Sequence, residues 1–211
     1  STDVNWMYSV EDANGFSDAG DTWYEDLEEV TYGNNMEWED AKHDYESAVS
    51  NFDCLFGDYN SVNSVEAYKN KLINIRYAPA EDRVLFYGNN GAVGRSLKAY
   101  GPKWITYGSL PEGIHIGTGE TAVLVEDAPS ACSVSRIDGL VGVALLGTNV
   151  TPAIKNSLHL YSTKYLVLDK DASKKALSIS KALGTKLLVR LTSEDLKCLS
   201  VKRITKVLNC D

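Results

Sequence analysis

The sequence predicts an α/β protein whose carboxy-terminal half is a parallel sheet flanked by helices. A smaller mixed α+β part and an acidic amino-terminal segment precede it. Three observations carry this prediction. Beyond residue 120, four apolar runs, AVLV (122–125), VGVALLG (141–147), KYLVLD (164–169) and KLLVRL (186–191), alternate with helix-like stretches. Each run is continuously apolar, as expected for strands covered on both faces of a parallel sheet. Between residues 83 and 108 the pattern is instead that of short strands broken by Gly and Asn turns. Finally, residues 1–80 hold 17 Asp and Glu against four Lys and Arg, whereas residues 81–211 hold 12 against 17. The expected organisation is an acidic, loosely structured segment over 1–34, a smaller α+β subdomain over 35–118, and an α/β domain over 119–211.

The elements follow in order. Residues 1–40 mix acids, Gly and Asn with Trp and Tyr, and no period persists. Over 35–56, Trp38, Ala41, Tyr45, Ala48 and Phe52 recur at three- and four-residue spacing, which predicts a helix. Residues 64–75 predict a short helix passing into a strand. RVLFYGNNGAVGRSL, from Arg83, predicts a hairpin turning at Asn90-Gly91, and PKWITYG (102–108) another strand. In the second half, PSACSVSRI places Ala131, Val134 and Ile137 on one helical face. Thr151 can cap the next helix with Pro152 at its first position. ASKKALSISKAL is a helix stopped by Gly184, and Ser200 can cap the helix carrying Val201, Ile204, Val207 and Leu208.

Composition narrows the classes. No run approaches the roughly 18 apolar residues that a membrane helix needs, so no membrane partner is expected. Cys54, Cys132, Cys198 and Cys210 are scattered, which signals neither a zinc ribbon nor a disulfide framework and fits thiols in a reducing cytosol. The net charge of −8 argues against a nucleic-acid partner only until the chain is divided, because residues 81–211 alone carry +5.

The acids of this basic half fall where they matter. Ligands of an open parallel sheet bind beyond the carboxyl ends of its strands. Glu126 and Asp127 follow the first predicted strand, Asp169 and Asp171 the third, and Glu194 and Asp195 the fourth. Carboxylates gathered on one rim repel one another unless a cation lies between them, and hard oxygen donors suit Mg²⁺. In an extended Asp-x-Asp both carboxylates point the same way, roughly 7 Å apart at the backbone. The plainer alternative is that Asp171 and Asp127 cap helices.

VED (125–127), LGTNVT (146–151) and DKDA (169–172) together resemble the three motifs of the Toprim domain, the metal-binding module of bacterial-type primases, topoisomerases and certain nucleases. Upstream, Arg83, the Gly94-Arg95 pair and Pro102-Lys103-Trp104 resemble the end of the amino-terminal subdomain of the primase polymerase core. The likeness spans about residues 83–197, and Glu-Asp in the first motif is a feature of many virus-encoded primases. The chain departs from the pattern at Ser130, where the family has Asp, and at Ser173, where it has Gly.

The resemblance implies a DNA primase or primase-like polymerase core, a Mg²⁺-dependent nucleotidyltransferase with Mn²⁺ as a substitute. It further implies catalytic and metal roles for Glu126, Asp169 and Asp171, with Asp127 a further candidate ligand. Arg83, Arg95 and Lys103 would contact template or nucleotide. The partners implied are a single-stranded DNA template, ribonucleoside triphosphates and a separately supplied helicase or other replication protein. The implied location is the cytoplasm, that of the host if the protein is phage-encoded. A Toprim-type nuclease, or a non-catalytic interaction protein that imitates nucleic acid, are the alternatives.

Overall fold

The computed structural model describes residues 36–37, 67, 70–78, 80–98, 100–147 and 150–209. The acidic segment 1–34, the predicted helical face from Trp38 to Phe52 and Thr148 of the second motif lie outside the described residues. Contacts divide the chain into two compact units, one containing Ile73–Leu110 and the other Pro111 onward.

The first unit holds an antiparallel sheet of strands β1 (Met36–Glu37), β2 (Ile75–Ala78), β3 (Arg83–Tyr87), β4 (Gly91–Ser96) and β5 (Trp104–Gly108), in that spatial order. Met36 and Glu37 pair with Tyr77 and Arg76, so the start of the predicted helix over 35–56 is a strand instead. Backbone pairing with β2 is a long-range term that local periodicity does not contain. The hairpin between β3 and β4 also turns one residue earlier than predicted. Gly88 donates to Gly91 at 2.8 Å, leaving Asn89 and Asn90 as the loop. Gly91 already belongs to β4, where a Cβ would lie 2.3 Å from the Tyr107 carbonyl oxygen of β5.

The second unit is a mixed α/β layer structure with a central sheet flanked by helices. Strands β6 (Ile114–Gly117), β7 (Thr121–Val125), β8 (Leu140–Ala144), β9 (Thr163–Asp169) and β10 (Leu188–Thr192) form one sheet in the order β10-β9-β7-β8-β6. The pairs β7–β8, β7–β9 and β9–β10 are parallel, and only β6 runs antiparallel, against β8. Helices α1 (Ala128–Ser135), α2 (Pro152–Ser157), α3 (Ser173–Leu183) and α4 (Val201–Asn209) follow the four parallel strands in turn. Among the described residues no helix is long and apolar enough to cross a membrane.

Burial explains the apolar runs of β7, β8 and β9; the fourth run departs from the expectation, because β10 lies at the sheet edge and leaves Val189 38% and Leu191 40% exposed. Ala122 and Leu124 of β7 join Val141, Val143, Leu166 and Leu168 in a cluster closed by Ile154 of α2 and Ile179 and Leu183 of α3. Val123 and Val125 point to the other face and are equally buried. Each such side chain contributes on the order of 1.5–3 kcal/mol when removed from water. On the second face α1 comes so close to β8 that a Cβ on Gly142 would lie 2.2 Å from the Ala131 carbonyl oxygen. Local signals set the helix ends: Thr151 Oγ1 accepts from Ile154 N–H at 3.0 Å, and Gly184 closes α3 at φ 59°.

Candidate metal-binding rim

Because β7, β9 and β10 are parallel neighbours, their carboxyl ends open on one edge of the sheet. Asp169 is the last residue of β9 and is in register with Thr192 at the end of β10. Glu126 and Asp127 leave β7 directly. A turn in which Thr192 Oγ1 donates to the Glu194 carbonyl at 2.9 Å leads from β10 into Asp195. Lys170 N–H donates to the Thr192 carbonyl at 2.9 Å, tying the loop after β9 to the end of β10. Glu126, Asp127, Asp169 and Asp195 consequently line one cleft together with Lys197.

The two aspartates of the third motif do not cap a helix. The residue preceding α3 is Ala172, and no side chain accepts there. Asp169 and Asp171 are exposed at the rim. Desolvation pushes the Asp169 carboxyl above its ordinary value, and the nearby charges of Asp195, Glu126 and Asp171 push it further the same way. Partial burial is the larger cause, and the neighbouring carboxylates add to it.

Asp127 has a different environment. It has an extended backbone (φ −125°, ψ 162°) before α1, and its Oδ1 accepts from Ser130 N–H at 2.9 Å. Its Oδ2 accepts from Lys197 Nζ at 2.9 Å. Burial works to raise its carboxyl, but the Lys197 ammonium and the Ser130 donors outweigh it and hold the group below its usual value. Both oxygens of this candidate ligand are therefore engaged, one as the helix cap and one in an ion pair.

Lys197 also reaches Asp195 Oδ2 at 2.8 Å. Burial alone would favour its neutral form, yet Asp127 and Asp195 together hold the ammonium well above the usual lysine range. Lys175 of α3 makes a short contact with Glu126 Oε1. With three carboxylates thus engaged by lysines, the described residues contain no group of three or more His, Cys, Asp or Glu side chains drawn together to enclose a metal ion. The chemistry of the donors is nevertheless the kind a hard divalent cation prefers: all are carboxylates, and they open on a cleft.

The three basic candidates lie in the first unit. Arg83 is 6% exposed. Its Nη1 donates to the Gly94 carbonyl at 3.2 Å and its Nη2 to the Pro102 carbonyl at 2.9 Å. Arg95 is 1% exposed, with its guanidinium 5.4 Å from the centre of the Trp104 ring. Lys103 is exposed. Lys197 was not distinguishable in the sequence; its only sign is its place two residues after Asp195. Lys175, by pattern, is one of several solvated lysines on α3.

No family model matches the chain, and no curated protein matches it by sequence. Solved structures do match it in fold. The catalytic core of the Escherichia coli primase is 14% identical with a TM-score of 0.50, covering 68% of this chain and 58% of that one. A primase catalytic domain bound to single-stranded DNA is 13% identical with a TM-score of 0.50, covering 98% of this chain and 74% of that one. A primase domain from Pseudomonas aeruginosa is 18% identical with a TM-score of 0.47, covering 61% of this chain and 51% of that one. The chain thus spans between 51% and 58% of the length of the first three matches. The class defined is a mixed α/β protein with a central sheet flanked by helices. In particular, the chain is similar in fold to the catalytic cores of bacterial primases.

Proposed function

We propose that this chain is a metal-dependent nucleotidyltransferase core that synthesises RNA primers on single-stranded DNA from ribonucleoside triphosphates. One observation carries the proposal: three strand ends of a parallel sheet deliver Glu126, Asp169 and Asp195 to a single cleft, where burial and the neighbouring carboxylates raise the Asp169 carboxyl. Nucleotidyl transfer requires attack of a 3′ hydroxyl on an α-phosphate with departure of pyrophosphate. A bound Mg²⁺ or Mn²⁺ would supply charge neutralisation for the phosphates and acidify the attacking hydroxyl.

Glu126, Asp169 and Asp171 are the residues that would hold the ion. Glu126 would also accept the proton of the hydroxyl; its side chain is 46% exposed and that of its partner Lys175 is 30% exposed. Lys175, once released from Glu126, offers an ammonium to a phosphate. Asp127 contributes by fixing the start of α1 and the position of Lys197 rather than as a first ligand.

Lys103 is the exposed member of the upstream basic group and is the one assigned to direct phosphate contact. Arg83 ties the β4 backbone to the approach to β5, and Arg95 supports Trp104 from beneath. The roles proposed for these two arginines are therefore to shape the template or nucleotide surface. A helicase or other replication protein is the natural further partner for such a core.

The test is incubation of the purified chain with single-stranded DNA, ribonucleotides and Mg²⁺ or Mn²⁺. Growth of a ribonucleotide product supports the proposal. Shortening of the DNA without nucleotides indicates a nuclease, and binding with neither reaction indicates an interaction protein.

A further inference from the structure

We propose that Lys197 is a resident cation of the rim: its ammonium fills the place between Asp127 and Asp195 that a second divalent ion would need, so each chain binds a single divalent cation on the side of Glu126, Asp169 and Asp171. The inference rests on the metal-binding reading above and concerns how many ions the rim takes.

The geometry is that of an ion inside its ligands. Nζ lies 2.9 Å from Asp127 Oδ2 and 2.8 Å from Asp195 Oδ2, and the Lys197 side chain is only 13% exposed. Its backbone is anchored as well. Lys197 is the middle residue of a single 3₁₀ turn, Leu196–Cys198. Leu196 is 3% exposed, and Cys198 N–H donates to the Asp195 carbonyl at 2.9 Å. Arg136 Nη2, from the end of α1, donates to the Leu199 carbonyl at 2.8 Å immediately beyond the turn. Asp127 cannot follow a departing partner, because its other oxygen caps α1. The ammonium thus has a fixed stem and one fixed anion, Asp127, while the second, Asp195, has a side chain 44% exposed.

Lys175 provides the contrast. It also meets a rim carboxylate, but its side chain is 30% exposed and that of Glu126 46%. An open pair of that kind has little holding it together and is easily exchanged for a better cation. A divalent ion can therefore displace Lys175 from Glu126, whereas at Asp127 and Asp195 it would have to evict a buried charge already matched to two carboxylates. The two lysines divide the rim into an exchangeable half and an occupied half.

The experiment is a count of Mn²⁺ bound to the full chain, by loss of the free-ion electron paramagnetic resonance signal and by calorimetry, for wild type, Lys197→Met and Lys197→Arg. The expected counts are one for wild type, two for Lys197→Met, where Asp127 and Asp195 are released, and one for Lys197→Arg, which restores the fixed charge. Two ions in wild type would overturn the inference while leaving the metal reading intact, and this arm needs no variant to fold. A count of one with unchanged affinity in a folded Lys197→Met protein would also overturn it. Binding by Lys197→Met alone, with none in wild type, would show that the other half of the rim is not open and would equally reject it. Absence of binding in all three proteins would instead remove the metal reading and the inference with it.

Discussion

Replacing Asp127 separates two jobs that one side chain performs, because each of its oxygens serves a different partner. Asn at this position still accepts from Ser130 N–H, since Asn and Asp cap about equally well. It loses the charge opposite Lys197, whose partner at 2.9 Å is 21% exposed. Removing one member of a buried pair usually costs about 3–5 kcal/mol because the other is stranded. Lys197 is not stranded here, because Asp195 remains at 2.8 Å, so the expected cost of Asp127→Asn is smaller, about 1–2 kcal/mol. Asp127→Ala should lose a further ~1 kcal/mol for the cap. Urea unfolding followed by far-UV circular dichroism reads these differences through the helices. At a slope near 2 kcal/mol/M the midpoints should fall by roughly 0.5–1 M for Asn and by about 0.5 M more for Ala. The pH dependence has a definite sign. The folded carboxyl lies below its unfolded value, so its stabilisation is complete above the unfolded pKa of about 3.9 and is lost as pH falls through the folded one. Asp127→Asn should flatten that acid limb. Equal stability of wild type and Asn, or of Asn and Ala, would refute the division of labour.

Three further outcomes follow from the packing. Gly142→Ala should destabilise by about 1–3 kcal/mol or more in thermal unfolding, because the added methyl meets backbone of Ala131 rather than a side chain that can move. Arg83→Lys should fail to restore the stability lost in Arg83→Ala, since a single ammonium cannot reach both the Gly94 and Pro102 carbonyls as the guanidinium does; chemical denaturation of the pair checks this. His115 is held neutral, with Nε2–H donating to the Glu112 carbonyl at 3.0 Å and Nδ1 accepting from the Tyr161 hydroxyl at 2.7 Å. Burial lowers its pKa despite the opposing effect of Glu112, so stability should decline as pH falls from about 6.5 towards the folded value and level off below it, a slope that His115→Gln should remove.

The second unit was legible in the sequence because its signals are local. Gly184 has the left-handed conformation that a helix stop demands, Thr151 caps, and the apolar runs of β7, β8 and β9 are buried, whereas Val189 and Leu191 of the edge strand β10 are exposed. The position of the acids at strand ends was equally readable, since parallel connectivity fixes which ends share a rim. What escaped were choices among distant partners. Glu37 pairs with Arg76 across nearly 40 residues of chain. Lys197 finds Asp127, 70 positions away. Arg95, which the resemblance assigns to template or nucleotide, is buried against Trp104. Nothing in periodicity distinguishes an arginine that meets a phosphate from one that supports a neighbouring ring.

The proposed hold of Asp169 and Asp171 on a divalent ion is read from the Mn²⁺-induced change in unfolding midpoint of wild type and of the Asp169→Asn, Asp171→Asn double substitution. Neither side chain caps α3, so the double change should leave the metal-free fold at least as stable, with the repulsion that raises Asp169 relieved. At Mn²⁺ near 100 times its Kd, wild type should gain about 2.7 kcal/mol, and the double substitution should show little or no shift. An equal shift in both proteins would contradict the assignment.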